Sequence, residues 1–251
     1  MLHRYLSTIG LAALLTVVSA AQQSTPTGAP PFSGERQFFP GISLKSVEGI
    51  PFSATEEIRN EMPLGDGTVD IKRTTVVLAR DVRGRIHNER RSLVPEHFRG
   101  TPHLQEVYLF DPQTRIDTMY VPGSYLARQI QRPERTENAG RSAVVNPDVK
   151  IEDLGTATIN GIFVRGTRRT TTLPARASST GVPIAIINEA WYSEDLQINI
   201  QIRHTDPRTG TETVTLTNIV EAEPDATLFE IPDGYRIVDV TPPASATTGP
   251  Q

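Results

Sequence analysis

Cysteine is absent from this 251-residue chain. Disulfide staples, Cys-ligated zinc, iron–sulfur clusters and thiol nucleophiles are excluded together, and so is a lipid anchor on an N-terminal cysteine. Lysine is scarce, 3 residues against 22 arginines, and aromatic residues make up only 6%. Apolar residues reach 37%, charged residues 22%, and 20 Pro stand beside 18 Gly. Collagen, a pure coiled coil and wholesale disorder are all inconsistent with those values. A formal net charge of −4 argues against nucleic acid as a partner, despite Arg90-Arg91 and Arg168-Arg169. There is no Walker loop and no dinucleotide-binding glycine pattern, so no nucleotide cofactor is expected.

The first twenty residues place Arg4 ahead of an apolar run, Ile9–Val18, which ends at Ser19-Ala20. This is the layout of a secretory signal peptide, with cleavage expected after Ala20. The run is about half the ~20 residues that a membrane-spanning helix needs, so no transmembrane segment is expected in the mature chain. Residues 21–40 are rich in Ser, Thr, Pro, Gly and Gln and read as a flexible leader, and 241–251 read as a disordered tail. Between them, 41–240 is long enough for one antiparallel β domain. The stretch Asp70–Arg141 is net basic and Ser142–Gln251 net acidic, an asymmetry suited either to an anionic partner or to an Arg-rich outer sheet face.

Strand signals dominate that domain. Leu196, Ile198, Ile200 and Ile202 alternate with Gln197, Asn199, Gln201 and Arg203, the pattern of a half-buried strand. Asp206-Pro207-Arg208-Thr209-Gly210 supplies a turn, and Thr211–Ile219 returns as a β-branched strand. Asn160-Gly161 is the dipeptide of a tight hairpin between Thr156–Ile159 and Ile162–Thr172. Turns at Asp81–Gly84 and Asp111–Thr114 predict two earlier hairpins. Gly166 suggests a bulge or bend. Two segments carry helical signals. Ser53 with Glu56 three residues on is a capping box. Period two, in contrast, places Glu56 among Phe52, Ala54 and Ile58, so Ser53–Met62 is open between helix and strand. Gly123–Arg132 is read as a short helix.

Few residues have the spacing that chemistry needs. Ser124 lies outside any Gly-x-Ser-x-Gly elbow, and none of His87, His97, His103 and His204 falls in a catalytic signature. His97 and His103, six apart in a loop, lack the i, i+4 helical spacing of a zinc pair, and no metal site is expected. Asp66 in Gly65-Asp66-Gly67 reads as a turn rather than a calcium loop. Glu189, Glu194 and Asp195 flank Trp191 and Tyr192, a combination of acids and aromatics that suits glycoside hydrolysis. Trp191 itself reads rather as a core anchor, expected to be largely buried with its indole N–H finding a partner.

From Asn188 onward the chain carries Glu189-Ala190-Trp191-Tyr192-Ser193-Glu194-Asp195-Leu196, then Asp206–Gly210, Leu216-Thr217-Asn218-Ile219 and Pro224–Tyr235. With Leu64–Thr68 and Arg80–Arg85 in the first half, this succession resembles a group of uncharacterised exported bacterial β-rich proteins over Pro51–Val240. More distantly it resembles the lipoprotein-localisation carriers and outer-membrane lipoprotein-sorting proteins. The resemblance implies a mainly β fold. A single curved antiparallel sheet, a half-barrel with one or two short helices, would enclose an apolar cavity that binds an acyl chain or another hydrophobic ligand. The low helical content of this chain departs from the carriers.

The leading expectation is therefore a non-enzymatic exported protein that binds a lipid, a lipoprotein or another hydrophobic ligand on the concave face of the sheet, without a cofactor. Candidate contacts are Ile184, Ile186, Trp191, Leu196, Ile198, Ile200, Ile202, Val214 and Leu216, each of which serves equally as plain core. The alternatives are an envelope interaction module for a protein or glycan, and a secreted glycan hydrolase using the acids around Trp191.

Overall fold

The computed structural model describes residues 41–133, 148–179 and 181–243. The expected signal segment, the leader and the end of the tail lie outside them. Ser53–Met62 is a strand, β1 (Phe52–Pro63). Phe52, Ala54, Glu56 and Ile58 are all buried along it, so the alternation is complete and only its acidic member disguised it. Strand β2 (Val69–Arg80) pairs antiparallel with β1 at every position from Phe52↔Arg80 to Pro63↔Val69. In the connecting turn the Asp66 carboxylate accepts the Thr68 backbone N–H at 2.9 Å, an Asx turn as the sequence implied.

The chain continues through β3 (Ile86–Arg91), the short β4 (Val94–Pro95), β5 (Leu104–Asp111), β6 (Ile116–Tyr120) and β7 (Leu126–Gln131). Its second half supplies β8 (Val149–Ile159), β9 (Ile162–Leu173), β10 (Ile184–Ser193), β11 (Ile198–Asp206), β12 (Gly210–Val220) and β13 (Arg236–Asp239). All belong to one sheet of order β13-β7-β6-β5-β3-β2-β1-β12-β11-β10-β9-β8, with β4 beside β2. Two meanders thus run to opposite edges and meet where β1 pairs with β12. The only described helices are single 3-10 turns, Ala175–Ala177 and Ala226–Phe229.

The helix expected over Gly123–Arg132 is corrected to a turn and strand β7. Gly123 (φ 78) and Tyr125 (φ 53) are left-handed, and β7 then pairs antiparallel with β6 and parallel with β13. Leu-Ala-Arg-Gln is a good helix-forming run, but partners on both sides override so short a preference. The Asn160-Gly161 hairpin forms as expected, both residues having positive φ (50 and 85). Asp206–Gly210 turns β11 into β12, with the Asp206 carboxylate accepting the Arg208 backbone N–H. Arg208 holds that carboxyl down at about 2.

The sheet bends strongly at the end where β8 and β9 join. Asn160, at the hairpin tip, donates to the Leu216 carbonyl of β12 at 2.7 Å, although β9 and β12 are three places apart in the sheet. Side chains from β1, β2, β9, β11 and β12 consequently share one buried cluster, including Phe52, Leu78, Val164, Ile200 and Leu216. Strands ~4.8 Å apart bring such distant side chains together only on the inside of a bend. A second, smaller core of Val107, Leu109, Tyr120 and Ala127 lies on the opposite face of β5–β7. There the segment between β12 and β13 crosses, laying Ile231 and Tyr235 over it.

Trp191 is half-buried against the inner cluster, not enclosed as expected. Its ring lies over Gly166, where an added Cβ would stand 2.6 Å from the indole carbons. The register irregularity falls on the strand across from that glycine, between Asp153 and Gly155 of β8. As the chain has one tryptophan, Gly166→Ala is expected to displace the ring toward water and red-shift the emission. An unchanged spectrum would mean that the ring does not rest on this glycine.

Candidate functional site

The inner face changes character along its length. Cross-strand rows read Ile58↔Thr74, Glu56↔Val76↔Arg90↔Glu106 and Ala54↔Leu78↔Asn88↔Tyr108. Apart from Glu56 and Thr74 these rows are apolar at β1 and β2, and they are polar at β3 and β5. Over this transition lies an open cavity of about 540 Å3, roofed by residues Gly41–Leu44. That volume is in the ordinary range for small-molecule sites. Ile42, Leu44, Ile58, Val76 and Ile86 are the apolar part of the lining, and Glu56, Asn88 and Arg90 are among its polar groups.

Glu56 is the unusual member. It is 1% exposed, and its Oε1 accepts the backbone N–H of Ile42 at 2.5 Å. Burial pushes its pKa up to about 7, against the Ile42 hydrogen bond and the charge of Arg90, with Glu212 adding to the rise. The roof fits around this carboxyl: a Cβ on Gly41 would come within 2.2 Å of Oε1. Behind the roof, Lys45–Ile50 is held by Arg80 and by Ser46, whose hydroxyl donates to the Gly84 carbonyl at 2.6 Å. Asn88 presents a buried Oδ1 that no donor meets. At the far side Tyr108 bonds both Asp117 and Arg132, and burial with the Asp117 contact raises its pKa.

The nine apolar candidates lie elsewhere. None of them lines this cavity. Leu196, Ile198, Ile200, Val214 and Leu216 are sealed in the inner cluster, with Trp191 and Ile202 half-buried against it. Ile184 and Ile186 are half-buried near the start of β10. The acids beside Trp191 diverge: Glu189 pairs with Arg168 at 2.6 Å, whereas Glu194 and Asp195 are exposed in the β10–β11 turn. His97 and His103 are exposed, and the Ser124 hydroxyl donates to the Val121 carbonyl within a turn. Sequence reasoning did not select Glu56 as a site residue, though a carboxylate among apolar alternating positions was the available signal.

No protein-family model matches this chain, and no curated protein matches it. Among solved structures, an uncharacterized conserved protein from Thermus thermophilus is similar over 76% of this chain and 91% of its own, at 8% identity and a TM-score of 0.42. The MucA/MucB complex of Pseudomonas aeruginosa is similar over 75% of this chain and 58% of that one, at 11% identity and a TM-score of 0.38. A putative outer membrane lipoprotein-sorting protein domain from Vibrio parahaemolyticus is similar over 71% of this chain and 88% of its own, at 9% identity and a TM-score of 0.27. Lipoprotein-sorting proteins, named above from the strand succession, are thus among its distant structural neighbours.

Proposed function

We propose that this chain is an exported, non-catalytic binding protein that holds an amphipathic ligand, an apolar chain with a polar end, in the cavity on the inner face. The observation that carries the reading is the lining itself. Ile58, Val76 and Ile86 offer apolar surface, while Glu56, Asn88 and Arg90 offer hydrogen bonds within the same space. An apolar body with a few fixed polar partners is the usual composition of a small-molecule site. Export rests on the signal-like segment Met1–Ala20, and no described helix is long and apolar enough to cross a membrane.

In this reading the β10–β12 residues stand behind the site. The sealed ones fix the bend that forms the cavity, and the half-buried Trp191 and Ile202 have side-chain surface left to offer a longer ligand. Ile184 and Ile186, at odd spacings from Trp191 along β10, lie on the other face of the sheet.

Protein purified from its own envelope is expected to carry an amphiphile detectable by native mass spectrometry and solvent extraction. An apolar fluorescent probe should bind the emptied protein, and Leu44→Arg with Val121→Arg, a roof and a mouth position, should weaken that binding at least tenfold. A protein that neither copurifies with an amphiphile nor binds the probe would overturn the reading.

A further inference from the structure

The outer face of the sheet has a second cavity, of about 410 Å3, under the crossing segment that joins β12 to β13. His87 and Glu89 of β3 and Tyr120 of β6 form its floor, and Glu230 and Asp233 stand at its rim. His87 is 3% exposed. Its Nδ1 lies 2.5 Å from the Leu228 carbonyl. A carbonyl only accepts, so the proton of the neutral ring is on Nδ1 and Nε2 carries the lone pair. That lone pair has no hydrogen-bond partner. Glu89 is near, 3.4 Å from Nε2, but an ionised carboxylate has no proton to give.

The imidazole is fixed in this pose. The Leu228 carbonyl grips one side, and the Phe229 ring stands edge-on to the imidazole at 6.4 Å. Phe229 is itself covered by the Arg85 guanidinium at 4.7 Å. Buried polar atoms normally find partners, and an acceptor left open inside a cavity is a place for a donor to arrive. The surrounding charge states which donor. Glu89 is paired with Arg91 at 3.3 Å, whereas the acids at the rim are not compensated: among the described residues neither Glu230 nor Asp233 has a cation within ion-pair distance.

We propose that this cavity binds an alkylammonium group, whose N–H donates to Nε2 of His87 while its charge meets Glu230 and Asp233. An anion is repelled by the two rim carboxylates. A neutral hydroxyl would satisfy the imidazole and leave the rim acids unused. A metal ion is poorly served, because among the described residues no three His, Asp or Glu side chains are grouped to hold one. The site lies on the opposite face from the Glu56 cavity and stands independently of the function proposed for it.

The test uses the full mature chain with 15N-labelled histidine, following the His87 imidazole nitrogens while n-propylammonium chloride is added. Nε2 is expected to shift saturably, as an acceptor gaining a hydrogen bond, with Nδ1 nearly still. Tetramethylammonium, a cation without an N–H, should leave Nε2 in place. The exposed pair Glu230→Gln/Asp233→Asn should weaken propylammonium about fivefold, the combined effect of two solvent-facing charge contacts. Nα-acetyl-lysine amide distinguishes the source: comparable affinity indicates a lysine side chain of a protein, and much weaker affinity indicates a free amine, both within the proposal. An unmoved Nε2, an equal response to tetramethylammonium, or an unchanged affinity in the double variant would overturn it.

Discussion

Arg80→Met is expected to lower the unfolding free energy by about 4 kcal/mol, read as a lower urea midpoint at unchanged slope. Arg80 is completely buried, and its guanidinium donates to three backbone carbonyls. Nε serves Ile50 at 2.8 Å, Nη1 serves Lys45 at 3.1 Å, and Nη2 serves Leu196 at 2.7 Å. It also packs over the Phe52 ring at 4.9 Å. One side chain therefore ties the segment before β1, strand β2 and the β10–β11 turn together at the closed end of the bend.

Methionine fills comparable space but leaves three acceptors without donors: the buried Leu196 carbonyl, a loss of about 1–3 kcal/mol, and the part-buried Ile50 and Lys45 carbonyls, which water reaches more easily and which cost less each. Relief of the guanidinium's own desolvation offsets part of that total, since burying the charge is itself unfavourable and lowers its pKa. Arg80→Lys should recover less than half, because an ammonium is a point donor and cannot span carbonyls spread around a planar fork. A methionine variant within 1 kcal/mol of wild type would show that water already serves those carbonyls.

The strands around Arg80 show what the sequence could reveal. The hairpins at Asn160-Gly161 and Asp206–Gly210 were legible because their turn chemistry is local: two left-handed residues in one, an Asx-type bond and a glycine with φ 103 in the other. Strand β7 was not, because Leu126–Gln131 is extended only by virtue of β6 and β13, and β13 lies 110 residues further on at Arg236. The Pro224–Tyr235 succession was recognisable as a pattern, yet its role was invisible. Asp225 caps a 3-10 turn by accepting the Thr227 N–H, Phe229 meets His87, and the Tyr235 hydroxyl accepts the Gly123 N–H at 3.0 Å. Those partners are set by sheet order, which no local signal encodes.

The inner cavity was hidden for the same reason. Its walls come from Gly41–Leu44, β1, β2, β3 and β5, whereas the strongest alternation, at Leu196–Ile202, marks the place that packs solidly. Regular patterning identifies core; the irregular residue identifies the site. In β1 that residue is Glu56, the acid that made a strand look doubtful.

Glu56→Gln should have no effect on stability near pH 4 and raise it by about 3 kcal/mol at pH 8. The sign follows from linkage. The folded chain holds the Glu56 proton up to about pH 7, against an ordinary value of 4.5. The folded state thus binds that proton more tightly, so the favourable contribution is complete below pH 4.5. It declines as pH rises from 4.5 through 7, and above 7 the penalty for a buried carboxylate is constant. Gln keeps an acceptor for the Ile42 N–H and removes the ionisation. Other groups slope the opposite way at low pH, Asp206 among them with its pKa near 2, so the quantity to follow is the difference between variant and wild type across pH. That difference should open between pH 4.5 and 7 and then stay level. A constant difference would mean that Glu56 titrates alike in the folded and unfolded chains, its burial being offset by Ile42 and Arg90.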